Sequence, residues 1–247
     1  MAQITIEDFL NQLASGKNQK LVFLPGSSVS WLLSLIQKKL KKRILVIAPS
    51  GERARELSSE IELFNGVKPL LFPSLEYYQL GGNETSRERA GALARIFIGD
   101  AQLVIGEAKG IFQPTIPKEL LKQYLFELKP EVKIVRENFI ASLISAGYQM
   151  VNMVAEPGEI SVRGGIMDIF SPSAHLPVRI EWFGEEIETI RLFEPSTQRS
   201  KDKLEQYLVA PGCELVITKD RAEKLKQKIF RLAEELKKER GEGEKSS

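Results

Sequence analysis

The chain holds one cysteine, Cys213, and one histidine, His175, in 247 residues. A lone cysteine excludes an internal disulfide framework and fits a reducing compartment. With one Cys and one His, a Cys/His zinc centre, a Ser-His-Asp triad or a Cys-His dyad would need other ligands or bases, so neither a metal nor a catalytic residue of those kinds is expected. No apolar run approaches the ~20 residues of a membrane span. Met1 to Asp8 lacks a basic stretch ahead of an apolar core, so no signal peptide is expected and the cytoplasm is the expected location. A dominant charge is also missing. Lys and Arg total 35 against 33 Asp and Glu, a net of +2, and nothing in that balance calls for a nucleic acid or a membrane surface.

What is present is enough apolar material, 43% of residues, for a real core. Ile6, Phe9, Leu10 and Leu13 recur at helical spacing behind Thr5, a plausible N-cap, and Gly16 stops the helix. Leu21–Leu24 reads as a short buried strand, followed by a helix carrying Val29, Leu32, Leu33, Ile36 and Leu40. Lys38, Lys39, Lys41, Lys42 and Arg43 crowd its C-terminal end, where cations favour the helix dipole. Strand Ile44–Ala48, a helix capped by Ser50, strand Val67–Phe72, a helix after Ser86 and strand Leu103–Ile105 continue the alternation. That rhythm predicts an α/β domain around a parallel sheet over residues 1–115.

Beyond Pro114 and Pro117 the pattern changes. A strand at Tyr124–Leu128 and a helix lined by Phe139, Ile140, Leu143 and Ile144 precede strand-like segments at Gln149–Val154, Glu159–Val162, Ile166–Phe170, Val178–Phe183 and Glu186–Leu192. Residues 116–209 therefore read as a smaller α+β domain with antiparallel hairpins. From Thr218, within a third segment over 210–247, a charged helix carries Ala222, Leu225, Ile229, Leu232 and Leu236. Gly241–Ser247 reads as a disordered tail.

Between the first predicted strand and its helix, Gly26-Ser27-Ser28-Val29-Ser30-Trp31-Leu32-Leu33 has the outline of a phosphate-binding loop. A working loop needs a second glycine to wrap the phosphates, a lysine to neutralise them and a hydroxyl to hold magnesium. Trp31, Leu32 and Leu33 stand in those three positions. An ordinary turn and a decayed loop both fit the residues, and both exclude triphosphate binding, so no cofactor is expected. No strand ends in a paired carboxylate for magnesium; Glu107 after Leu103–Gly106 is the nearest.

The segment Val178–Phe183 is the most informative. Period two sends Val178, Ile180 and Trp182 to one face and Arg179, Glu181 and Phe183 to the other. Ile160-Ser161-Val162-Arg163 alternates likewise, so a shared sheet would put Arg163, Arg179 and Phe183 on one face. Two arginines around an exposed aromatic make the composition of a protein-protein anchor. The alternative is equally open from these residues: Phe183 packs under the Phe139–Ile144 helix and the arginines pair with Glu181 and Glu186.

Gly158-Glu159 through Arg163-Gly164-Gly165, Asp168-Ile169-Phe170, Leu176 through Ile187, and Phe193 through Ser200 resemble the second domain shared by the bacterial repair helicase UvrB and the transcription-repair coupling factor Mfd. The resemblance runs from about residue 20 to about 215. Gln79–Thr85 is too short for the DNA-gripping hairpin of UvrB, so the chain is similar to the N-terminal UvrB-like module of the coupling factor, with domains 1a, 2 and the start of 1b. The resemblance implies a decayed P-loop at Gly26 and no enzyme activity of the chain itself. It implies a partner, UvrA, held through Arg163, Arg179 and Phe183. It implies that RNA polymerase and DNA are reached only through motor and polymerase-binding parts of a longer protein. An ATP-dependent DNA-remodelling fragment like UvrB is the competing expectation.

Overall fold

The computed structural model describes residues 5–22, 24–76, 84–216 and 219–243. Helix α1 (Ile6–Ala14) opens with a reciprocal cap: Asp8 N donates to Thr5 Oγ1 at 3.1 Å and Thr5 N donates to Asp8 Oδ2 at 3.3 Å. Helix α2 (Ser28–Leu40) ends at Lys41, which takes a left-handed conformation with φ 49°. The first sheet is parallel, in the order β1 (Ile44–Ala48), β3 (Leu103–Glu107), β2 (Leu70–Phe72). Its alternation decides its layers. Leu103, Ile105 and Ala48 pack with α2 and α3 (Gly51–Asn65), whereas Val104 and Phe72 pack with α4 (Glu84–Ile98). Ser50 caps α3 by accepting from Arg53 N at 3.2 Å.

Three expectations fail here. Leu21, Val22 and Leu24 join no sheet and are exposed, while Phe23 lies outside the described residues. A run of four residues offers few ladder bonds, and Pro25 has no N–H with which to extend it. The strand around Val67–Phe72 contracts to Leu70–Phe72, and α4 starts ahead of Ser86, which lies buried in its first turn. The Tyr77–Asn83 segment, on which the length comparison with UvrB rests, lies outside the described residues.

A short helix α5 (Ala108–Ile111) and α6 (Lys118–Gln123) lead into β4 (Phe126–Leu128) and α7 (Arg136–Ser145). A six-stranded sheet then follows, comprising β5 (Gln149–Met150), β6 (Glu159–Arg163), β7 (Ile166–Ile169), β8 (Val178–Phe183), β9 (Glu186–Phe193) and β10 (Ser200–Lys203). They lie in the order β10-β9-β8-β7-β6-β5, antiparallel except for β5 beside β6. Ile160, Met167, Ile169, Val178, Ile180, Trp182, Ile187 and Ile190 form one inner face against Phe139 and Leu143 of α7. The expected strand Gln149–Val154 keeps only its first two residues, because Val151 and Val154 turn to a small cluster with Phe170 and Phe193. Strand β11 (Tyr207–Val209) pairs with β4, and helix α8 (Lys219–Gly243) closes the chain. The helix takes in Gly241–Gly243, which composition had placed in a disordered tail; Thr218 and Glu244–Ser247 lie outside the described residues.

The three-stranded and six-stranded sheets are joined at α4. A Cβ on Gly91 would lie 2.1 Å from the Pro172 carbonyl oxygen, so the helix backbone touches the loop after β7. Two residues earlier, Arg89 is wholly buried. Its Nε and Nη2 donate to Glu214 at 2.5 and 3.2 Å, and its Nη1 donates to the carbonyls of Pro73 and Gly110 at 2.7 and 3.1 Å. Its guanidinium also lies 4.2 Å from the Phe72 ring centroid. Glu214 sits on the strap Ala210–Glu214, whose Gly212 is packed on Gly147 so closely that a Cβ would lie 2.7 Å from the Gly147 carbonyl carbon. Arg89→Met leaves Glu214 buried and unpaired, and urea unfolding should show a loss of about 3–5 kcal/mol. Adding Glu214→Met should recover only part of it, because the Pro73 and Gly110 carbonyls stay unpaired.

Candidate functional site

Strand β8 alternates as its sequence does. Val178, Ile180 and Trp182 are buried, whereas Arg179 and Glu181 are half-buried and Phe183 is 81% exposed on the outer face. The ring of Phe183 therefore does not pack under α7. It stands at the end of the β8–β9 hairpin, opposite Glu186, with Gly184 at φ 63° making the two-residue turn with Glu185. Residues 131–134 brace that hairpin: Glu131 N donates to Ile187 O at 2.8 Å and Ile134 N to Glu185 O at 2.7 Å.

The register places Arg163 opposite Ile166, and Ile166 opposite Glu181. Arg163 is thus level with Glu181, two strands away, on the same outer face. Strand spacing and rise put Arg163, Arg179 and Phe183 in one patch on the order of 13 Å across. Arg163 is exposed, and its Nη2 donates to the Asn152 carbonyl, which also accepts from Ser161 Oγ at 3.1 Å.

Arg179 is held by a different carboxylate from the two glutamates of the second expectation. It pairs neither with Glu181 nor with Glu186 but with Asp168, its cross-strand neighbour on β7. Nε donates to Asp168 Oδ1 at 2.7 Å and Nη2 to Oδ2 at 2.8 Å, a two-pronged fork, and the guanidinium lies 5.1 Å from the Phe193 ring centroid. The hydrogen bonds to Asp168 raise the Arg179 pKa above its ordinary value, against the opposing effect of burial. Glu181 instead accepts from Thr189 Oγ1 at 2.8 Å. Arg179 is therefore a positioned cation whose fork is already used, and Nη1 is the nitrogen left outside it. Alternation alone places Asp168 on the outer face; the pairing needs the β7–β8 register, which no pattern in the sequence states.

At the Gly26 loop, Gly26 has φ 53° and Ser28 N donates to Pro25 O at 3.2 Å, a turn leading straight into α2. Trp31 projects from α2 as an exposed side chain. Glu107, at the end of β3, accepts from Ser74 Oγ, and its carboxylate lies 3.5 Å from where a Cβ on Gly51 would stand, at the start of α3. Among the described residues, no group of three or more His, Cys, Asp and Glu is placed to hold a metal. No helix among them is long and apolar enough to cross a membrane.

This sheet with its outer-face arginines falls in a region of defined kinship: residues 126–214 match the UvrB interaction domain. That segment is accordingly a UvrB-like domain. Over most of its length the chain is also similar to transcription-repair-coupling factors. The factor of Bacillus subtilis (strain 168) is 29% identical over 246 residues, 97% of this chain and 21% of the relative. That of Mycobacterium bovis is 32% identical over 225 residues, 85% of this chain and 18% of the relative. That of Myxococcus xanthus is 26% identical over 221 residues, again 85% and 18%. The chain spans about a fifth of the length of the curated relatives it matches.

The Arg179 fork makes a stability prediction. Asp168→Asn keeps the shape at a buried position but removes the charge, leaving Arg179 without its forked partner and opposite Arg191 on β9. Chemical denaturation should show a loss of about 1–3 kcal/mol. A midpoint equal to that of the unaltered chain would mean that the fork adds nothing.

Proposed function

We propose that this chain is an adaptor module that recruits the damage-recognition protein UvrA in bacterial nucleotide excision repair coupled to transcription. The contact surface is the outer face of the six-stranded sheet, with Phe183 as its aromatic anchor and Arg163 and Arg179 as its polar flank. The observation that carries the reading is the exposure of Phe183, 81%, on a rigid hairpin inside the segment that matches the UvrB interaction domain. An exposed aromatic held on fixed backbone makes a binding anchor, since little entropy is lost when it is covered.

In this reading residues 1–115 are scaffold, residues 116–209 carry the contact, and the remainder begins a third segment. The chain binds no nucleotide and catalyses nothing itself. The turn at Gly26 lacks the lysine and hydroxyl that hold a triphosphate, and the strand that should lead into it is unpaired over its described residues. An ATP-driven enzyme of the UvrB kind is correspondingly disfavoured. RNA polymerase and DNA are partners of a longer protein, reached through other regions, and the compartment is the cytoplasm.

Phe183→Ala tests the reading cleanly, because the ring contributes little to folding. Affinity for UvrA should fall by about 2 kcal/mol, roughly thirtyfold, with the thermal midpoint unmoved. Arg179→Ala should weaken binding and also lower the midpoint, since it strands Asp168. Unaltered UvrA binding by Phe183→Ala contradicts the proposal, as does a magnesium-dependent rise in melting temperature with ATP.

A further inference from the structure

The cross-strand register draws a row of charge over the outer face of the sheet. Asp168 on β7 faces Arg179 on β8, Arg179 faces Arg191 on β9, and Arg191 pairs with Lys203 on β10. Three cations thus follow one carboxylate, and that carboxylate is already occupied by both prongs of Arg179. Like charges directly opposite each other in a sheet repel. Arg191 shows the consequence. Its Nε is out of reach of solvent and has no acceptor among the described residues, although the side chain as a whole is half-buried. The nearest other carboxylate on this face in the register, Glu181, lies diagonally from Arg191 and accepts from Thr189. Lys203, at the open edge of the sheet, is exposed.

A guanidinium that lacks an acceptor, between a second arginine and a lysine, is complementary to an incoming anion. Resting on the reading of this face as a protein-binding surface, we infer that the partner places an aspartate or glutamate side chain against Arg191 and Lys203. This acidic contact is a second anchor, beside the aromatic one at Phe183. Arg179 takes part through position: fixed by Asp168, it cannot swing away, and it adds its charge to the field the carboxylate enters. The face then reads two features of the partner, an apolar pocket for Phe183 and an acidic side chain two strands toward the β10 edge.

The test is calorimetric titration of UvrA with the whole chain and three variants. Arg191→Met keeps the length of the stem and removes the charge; it should weaken binding about tenfold and flatten the dependence of affinity on salt. Lys203→Glu, at an exposed position that leaves folding intact, should weaken it at least as much. Phe183→Ala is the reference. If Phe183→Ala loses affinity while Arg191→Met and Lys203→Glu bind like the unaltered chain, the acidic anchor is wrong and the reading of the face stands. If all three bind normally, the reading of the face fails and takes the anchor with it.

Discussion

The buried pair of Arg89 and Glu214 is the interaction on which the arrangement of this molecule turns. Removing both charges from water is costly, and the cost is offset only because the guanidinium finds two carboxylate oxygens, two backbone carbonyls and the face of Phe72 at once. Those contacts come from α4, from the ends of β2 and α5, and from the strap after β11. One side chain therefore holds the first sheet, the helix behind it and the segment that leaves the β4–β11 pair. Gly91, one half-turn along α4, then lets the Pro172 loop approach at backbone distance.

With that joint fixed, the six-stranded sheet has one face to spend on its own core and one to present. The inner face is filled by Ile, Val, Met and Trp packed on α7. The outer face is divided. Toward β5 and the loop before β10 it is covered by Val151, Val154, Phe170 and Phe193, and toward the β8–β9 hairpin it is left open. Arg179 stands at the border between these regions, over the Phe193 ring and forked by Asp168, so it ties the open part of the face to the covered part. Among the described residues, the Gly26 end of the molecule offers no comparable arrangement of groups.

Much of this was legible in the residues because it depends on local period. The alternation of Val178–Phe183 reports both faces of β8, and the capping residues Thr5 and Ser50 mark their helices. What stayed hidden depends on pairing. No pattern in the chain states that Asp168 lies opposite Arg179, so a sequence reading that pairs this arginine within the chain reaches only for nearer glutamates. Nor does any signal distinguish Arg89 from Arg87 and Arg95, the half-buried arginines of α4; only the fold brings Glu214 to it across 125 positions. The strand expected at Leu21–Leu24 fails for the complementary reason. Four apolar residues satisfy the composition of a strand but not its need for a neighbour with which to share hydrogen bonds. Likewise Val151 and Val154 belong to a cluster rather than to β5, a choice made by Phe170 and Phe193 from elsewhere in the chain.

The central claim is that the working surface is the outer face of the six-stranded sheet, with the α/β part serving as its support. Amide hydrogen exchange of the chain, free and saturated with UvrA, tests it most directly, since it reports protection residue by residue. The account predicts that UvrA slows exchange over Arg179–Arg191 and around Arg163, and leaves Ser28–Leu40 and Gly51–Asn65 as they were. Protection centred on the Gly26 turn and α2, with the β8–β9 hairpin unchanged, would contradict it.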